Sequence, residues 1–317
     1  MPTSHYLDFE RPIADLDAKI RELSKIAESS RSVAIGAELH ALRDRVEVLR
    51  GDMYASLDPW RKTQVARHPE RPHFGDYLDA LIDEWVELKG DRKFADDQAI
   101  VGGLGRFRGR PVLVMGHEKG ADTATRLRHN FGMARPEGYR KAVRLMDLAE
   151  RFGLSVISFV DTAGAYPGLG AEERGQAEAI ARSTERGLTL GVPFVTVVTG
   201  EGGSGGAIAL ATANKVLMLE HSIYSVISPE GAASILFRDG ARACEAAAAM
   251  KITAEDLLAL KVVDRIIPEP LGGAHSDQAA AIAAVGAAME AELAGLDGLS
   301  PEALRRQRAD RFYAIGR

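Results

Sequence analysis

Short apolar runs at residues 155–161, 193–199 and 216–219 alternate with longer stretches of helical spacing at 172–190 and 205–213. No other feature restricts the fold more. Strands apolar on both sides need cover on both faces, and helices between successive strands supply it. The pattern therefore predicts a mainly parallel sheet in an α/β fold. Upstream, the same rules give a helix at 77–88, a hairpin of strands 99–107 and 111–116 turning at Arg108-Gly109, and a helix at 138–152. Downstream they give a helix at 253–260 opened by Thr253 and Asp256, a closing strand at 262–267 and an alanine-rich helix at 276–293.

The amino-terminal part reads differently. Ile13, Leu16, Ile20, Leu23 and Ala27 recur at helical spacing. After the polar break Glu28-Ser29-Ser30-Arg31-Ser32 the series resumes at Ile35, Leu39, Leu42, Val46, Leu49 and Met53. One apolar stripe per helix predicts a helical hairpin that buries its stripe on the body of the chain or on a partner. Asp58-Pro59 ends the second helix, because proline disfavours helical geometry in the residue before it. Residues 67–72 read as a polar, proline-containing linker. The chain thus divides into an extension with its linker, 1–72, and a main domain, 73–317.

Hydrophobic residues make up 46% of the 317 and charged residues 27%, which supports a sizeable core in a water-facing protein. A net charge of −5 offers no overall positive field for nucleic acid. No apolar run approaches the roughly 20 residues of a membrane span. Residues 1–11 lack the apolar centre of a secretory signal, so a cytoplasmic location is expected. The single cysteine, Cys244, excludes an internal disulfide and a multi-cysteine zinc site within one chain, and no metal site is expected here.

Thr199-Gly200-Glu201-Gly202-Gly203-Ser204-Gly205-Gly206-Ala207 joins a predicted strand to a predicted helix. Missing side chains let a ligand touch the main chain, and the amides of a helix start suit negative charge. Four readings compete. Gly200, Gly202 and Gly205 match the G-x-G-x-x-G dinucleotide pattern, with Glu220 about 20 residues on. Gly202-Gly203-Ser204-Gly205-Gly206 matches the G-x-S-x-G nucleophile turn; Asp264 and His275 follow in triad order, but no HGGG-type segment lies upstream. Asp161-Thr162-Ala163-Gly164 matches a GTPase D-x-x-G element, but no G-x-x-x-x-G-K-[ST] loop accompanies it. The fourth reading is a turn that is bare only for close helix–strand packing.

The segments around this loop add a resemblance. Asp161-Thr162-Ala163-Gly164-Ala165-Tyr166-Pro167-Gly168 is followed by Gly170-Ala171-Glu172-Glu173-Arg174-Gly175-Gln176, the glycine loop, and His221-Ser222-Ile223-Tyr224-Ser225-Val226-Ile227-Ser228-Pro229-Glu230-Gly231. In order and spacing these resemble the carboxyltransferase alpha subunits of bacterial-type acetyl-CoA carboxylases. Arg128-His129-Asn130-Phe131-Gly132-Met133 and Pro136-Glu137-Gly138-Tyr139-Arg140-Lys141-Ala142 extend the match upstream. Ile252-Thr253-Ala254-Glu255-Asp256-Leu257-Leu258 and Val263-Asp264-Arg265-Ile266-Ile267-Pro268-Glu269 extend it downstream, so it covers nearly the whole chain. Two positions depart from the family, which usually has proline at Ala163 and arginine at Ala121.

The resemblance implies a crotonase-like α/β fold with the helical hairpin as an amino-terminal extension. It implies a cytoplasmic hetero-oligomer, alpha2beta2, in which a zinc-ribbon beta subunit carries the metal and most of the acetyl-CoA site. The carboxyl group arrives on biotin held by the biotin carboxyl carrier protein, loaded by biotin carboxylase, and leaves as malonyl-CoA for fatty acid biosynthesis. Negative charge left on the biotin ureido oxygen calls for fixed N–H donors. By resemblance, Gly206 and Ala207 supply them and Gly205 allows close approach. Ala163, Gly164, Ala165, Tyr166, Pro167 and Gly168 form the biotin-side wall, with Tyr166 and Pro167 against the biotin rings. Ser204 and Glu201 are read as loop-shaping, and His117, His129 and His221 as structural. The seven Lys/Arg against two acids over residues 119–144 suit either a solvated face or attraction of CoA phosphates or an acidic partner. Another crotonase-type enzyme acting alone and a scaffold subunit are the competing functions.

Overall fold

A computed structural model of the chain describes residues 5–30 and 33–316. Eight strands form one sheet: β1 (Ile82–Glu87), β2 (Ile100–Phe107), β3 (Arg110–His117), β4 (Ser155–Thr162), β5 (Phe194–Gly203), β6 (Lys215–Leu219), β7 (Ile223–Ser225) and β8 (Arg265–Ile267). Their order is β1-β2-β3-β4-β5-β6-β8, with β7 added alongside the end of β5. From β3 onward neighbours run parallel, whereas β1, β2 and β3 are antiparallel. Every residue of β4 and β5 is buried, as the continuous apolar runs require. Helices Pro136–Phe152, Gln176–Thr189 and Ser204–Ala211 cover one face around Leu145, Met146 and Phe194. Helices Phe74–Leu81 and Gln278–Ala294 cover the other around Tyr77, Phe159 and Met289.

The amino-terminal hairpin forms as expected, from helices Arg11–Ser30 and Val33–Tyr54. Ile13, Leu39 and Val46 on the predicted stripe are buried, while Ile26 and Val48 off it are exposed. Arg31 and Ser32 of the polar break lie outside the described residues.

Several boundaries differ from the sequence reading. The helix expected at 77–88 stops at Leu81, and Ile82–Glu87 turns into an edge strand. Its partner decides this: a β-carbon on Gly103 would lie 2.9 Å from the Trp85 ring and 2.1 Å from the Val86 carbonyl, so the bare β2 accepts β1 at close range. The helix expected at 172–190 splits into Leu169–Glu172 and Gln176–Thr189. Helices Pro59–Ala66, Pro229–Phe237, Ala243–Met250 and Pro301–Tyr313 carry no expectation above; three of them open on proline at the first turn, where its missing N–H costs nothing.

Asp58-Pro59 does not only end a helix. Asp58 accepts the Arg61 amide at 2.8 Å and caps Pro59–Ala66, so this pair starts one. The polar stretch 67–72 is bound tightly to the sheet. Arg71, 3% exposed, donates to both carboxylate oxygens of Glu269 at 2.8 Å and to the Thr199 carbonyl at 2.9 Å. Burial alone would push Glu269 up, but the charge and hydrogen bonds of Arg71 hold it down at about 2. Beside this pair the His68 and His275 rings stack with centroids 3.7 Å apart. His68 accepts the Glu70 amide at Nδ1 and meets the His5 carbonyl at 2.7 Å from Nε2, which assigns its proton to Nε2. Tyr54 donates to buried Glu10 at 2.8 Å and packs edge-on to His221.

Burial, reinforced by the neighbouring His68 and Arg71, holds His275 down at about 3. Below the ordinary histidine value of about 6.5 the unfolded chain takes a proton that the folded chain refuses until about pH 3. Stability from this group is complete above that window and lost as pH falls through it, by up to about 1.4 kcal/mol per pH unit. Urea midpoints measured from pH 7.5 to 5 should decline in the wild type, and His275→Gln should flatten that decline.

Candidate active site

At the carboxyl ends of β4 and β5 two bare stretches of main chain meet. After β4, the Thr162 hydroxyl closes a turn by accepting the Gly164 amide at 3.1 Å and donating to its carbonyl at 2.9 Å. The loop is then tied back: the Tyr166 amide donates to the Ala134 carbonyl at 3.0 Å, and Gln176 Nε2 donates to the Ala134 and Tyr166 carbonyls at 2.9 Å each. The Arg135 guanidinium lies 4.8 Å from the Tyr166 ring centre. Ala163 and Pro167 are exposed, Gly164 is buried, and Ala165, Tyr166 and Gly168 are half-buried.

The glycine stretch is less of a loop than its composition predicts. β5 continues to Gly203, and Glu201, Gly202 and Gly203 pair in parallel with Ile223, Tyr224 and Ser225. The turn is a single residue, Ser204, exposed and at φ +51°. Ser204 also opens the helix Ser204–Ala211, which starts with no side chain capping it. Among the described residues, no hydrogen bond from outside that helix takes up the amides of Gly205, Gly206 or Ala207. Gly205 is half-buried; Gly206 and Ala207 are buried. A β-carbon on Gly203 would sit 2.2 Å from the Ala163 carbonyl oxygen, and one on Gly206 would sit 2.8 Å from the Gly164 carbonyl carbon. The structure thus brings the two predicted motifs into direct main-chain contact, with unclaimed amides at the junction.

The nucleophile-turn and dinucleotide readings of the glycines find no support in the geometry, while the close packing of the fourth reading is present at Gly203 and Gly206. Asp264 is engaged by the Val216 amide at 2.7 Å and by Arg311 at 2.6 Å, and His275 is stacked on His68; neither lines the cavity at Ser204. No triad forms, although Ser204 has the strained backbone of a nucleophile turn. Glu220 accepts the Glu269 amide at 3.1 Å.

Two cavities flank the junction. On the Ser204 side a groove of about 460 Å³ is lined by Ile208, Tyr224, Val226, Ile252, Leu257 and Leu260, with Val226 82% exposed. On the Ala163 side a polar cavity of about 270 Å³ is lined by Arg67, Lys119, Arg126, Phe131, Asp161 and Glu201. Much of the basic stretch is used internally. Arg140 pairs with Asp91 at 2.8 Å, Lys141 with Asp96 at 2.6 Å, Lys119 with Asp161 at 2.6 Å, and Arg144 donates to main-chain carbonyls. His117 ends β3 beside Asp161 and Lys119, and its burial holds it down at about 4, hence neutral. His129 bonds the Gln98 carbonyl at 2.6 Å. Among the described residues no cluster of His, Cys, Asp or Glu is placed to hold a metal ion, and no helix is long and apolar enough to cross a membrane.

A sequence model described as acetyl co-enzyme A carboxylase carboxyltransferase-like matches residues 6–316. The acetyl-coenzyme A carboxylase carboxyl transferase subunit alpha of Caulobacter sp. (strain K31) is 74% identical over 314 residues, 99% of this chain and 98% of its own. That of Phenylobacterium zucineum (strain HLK1) is 67% identical over 314 residues, with the same two shares. The chain belongs to the acetyl-CoA carboxylase carboxyltransferase alpha-subunit family.

As a member of this family it is a carboxyltransferase component. Among solved structures, a transcarboxylase 12S core with methylmalonyl-coenzyme A bound superposes with a TM-score of 0.58 at 19% identity, over 71% of this chain and 42% of its own. A Pseudomonas malonate decarboxylase hetero-tetramer in complex with coenzyme A gives 0.56 at 18% identity, over 68% and 87%. Identities this low speak for the fold alone, which is crotonase-like as the resemblance implied. In this alpha-subunit chain, sequence reasoning gave Gln176 and Arg135 no role of their own. Both sat inside or next to quoted motifs, but only the fold shows that they hold the 163–168 loop.

The contact between the two main chains yields a contrast in stability. Gly203→Ala and Gly206→Ala drive a β-carbon into backbone and should each cost about 1–3 kcal/mol. Gly205→Ala meets only the flexible Ile180 side chain at 3.3 Å, so its urea midpoint should stay near the wild-type value.

Proposed function

We propose that this chain, with a zinc-bearing beta subunit, moves the carboxyl group from biotin on its carrier protein to acetyl-CoA, and that the Ala163–Ser204 junction is where its own residues act. One observation carries the reading: among the described residues three consecutive amides, at Gly205, Gly206 and Ala207, have no partner outside their helix, and the main chain of the Gly164–Ala165 loop packs directly on that first turn at Gly206. Bound biotin would supply a transferable N-carboxyl group whose loss leaves negative charge on the ureido oxygen. The Gly206 and Ala207 amides stabilise that charge, each donor being worth roughly 2.7–4 kcal/mol where such groups have been removed. Gly205, without a side chain, lets the oxygen approach.

Tyr166 and Pro167 form the wall beside the biotin rings. The carbonyls bound by Gln176 and the Arg135 cation over the Tyr166 ring fix that wall before the ligand arrives, which lowers the ordering cost of binding. Cys244 is this chain's single cysteine, so a four-cysteine zinc ribbon belongs to the beta chain. The exposed apolar groove at Ile208 and Val226 is where that chain docks, excluding water from the junction. Residues 1–72 act as an extension and 73–317 as the carboxyltransferase domain of a cytoplasmic alpha2beta2 assembly serving fatty acid biosynthesis. Biotin carboxylase would recharge the carrier protein.

Co-purification should recover a second chain bearing four zinc-binding cysteines, and malonyl-CoA should form only when both chains, carboxylated carrier protein and acetyl-CoA are combined. Turnover by this chain alone would instead support a single-chain crotonase-type enzyme. In the active mixture, Tyr166→Ala should raise KM for the biotin carrier about tenfold, the loss of roughly 1.4 kcal/mol of ring contact, and leave KM for acetyl-CoA near the wild-type value.

A further inference from the structure

The amino-terminal segment sends one guanidinium into the strand that leads to the glycine turn. Helix Pro59–Ala66, capped by Asp58, ends at Arg67. Arg67 Nε and Nη2 donate to Glu201 Oε1 at 3.0 and 2.7 Å, and Nη1 donates to Glu230 Oε1 at 2.6 Å. Glu201 lies in β5 just before the turn, with its side chain 8% exposed; Glu230 lies in the first turn of helix Pro229–Phe237. The charges continue on the other side. Lys119 Nζ is 3.8 Å from Glu201 Oε2 and 2.6 Å from Asp161 Oδ1, and Asp161 accepts the Glu201 amide at 2.8 Å. Glu230, Arg67, Glu201, Lys119 and Asp161 therefore form an alternating series that ends two residues before Ala163.

The series matters because the strand end, though paired on both sides, offers almost no side chains by which its position can be set. In Gly200-Glu201-Gly202-Gly203 only Glu201 has a side chain, so beyond main-chain pairing with β4 and β7 and the Asp161 contact to the Glu201 amide, this carboxylate is the one side-chain handle on the position of the turn. A buried carboxylate needs a cation against it to offset the cost of leaving water. A planar fork bonded to two elements fixes direction as well as distance, which a lysine cannot do.

We infer that Arg67 is a positioning residue for the carboxyl-transfer site, setting through Glu201 where the glycine turn presents its amides. The inference rests on the function proposed above. Displacing a reacting group by about 1 Å can cost about 100-fold in rate, so Arg67→Ala in the assembled alpha–beta complex should lower kcat about 10- to 100-fold. KM for acetyl-CoA and for the biotin carrier should stay near wild type. Arg67→Lys, with the charge but not the fork, should recover only part of the loss, and added guanidinium ion should partly restore Arg67→Ala. Arg67→Ala and Glu201→Gln combined should be no worse than the weaker single variant, because they break the same contact.

A wild-type kcat in Arg67→Ala would overturn the inference. So would full recovery in Arg67→Lys, or a loss of activity that matches the fraction of complex failing to assemble on size-exclusion chromatography. An inactive wild-type complex would remove the functional reading and this inference together.

Discussion

Two main chains touch at the carboxyl ends of β4 and β5, and they can do so only because Gly203 and Gly206 carry no β-carbon. The rest of the site follows from that contact. With the loop after Thr162 pressed on the first turn of helix Ser204–Ala211, the amides of that turn border a wall of ordered main chain. A helix start in water would spend its donors on solvent. Here they are held in fixed directions, which is the preorganisation that the proposed oxyanion contact calls for.

Holding such a junction requires support from both sides. On one side Gln176 gathers the carbonyls of Ala134 and Tyr166. On the other, the segment after the amino-terminal hairpin inserts Arg67 and Arg71 beneath β5, where Arg71 meets Glu269 and the Thr199 carbonyl. Burying these charges is unfavourable unless every partner is present. The extension is therefore joined to the site by polar contacts with strict geometry. In the same seam His68 of the extension stacks on His275 of the main domain, both kept neutral by burial.

Much of this was legible in the residues. The helical hairpin, the antiparallel pair β2–β3 and the parallel strands β4 to β6 follow from spacing over a few residues, and local sequence carries that signal in full. Residues 82–87 were not legible, because Ile82, Trp85 and Val86 fit helical spacing as well as they fit a strand. The choice was made by the bare surface of β2, distant in sequence. Nor was the extent of β5: its glycines look like a loop, yet they pair with β7, whose residues lie some twenty positions on. The polar character of residues 67–72 suggested a linker, since nothing local reveals that Arg71 has a buried acid waiting almost 200 residues away.

The sequence by itself determined the sheet type, the stripe of the extension, the glycines at which main chains could approach, and the family. Periodicity and missing side chains are properties each residue carries with it. Only the tertiary structure decided which backbone filled the space those glycines left, which charges met beneath it, and which amides stayed unclaimed. These depend on distances between segments far apart in the chain, and such distances exist only once burial has fixed the whole.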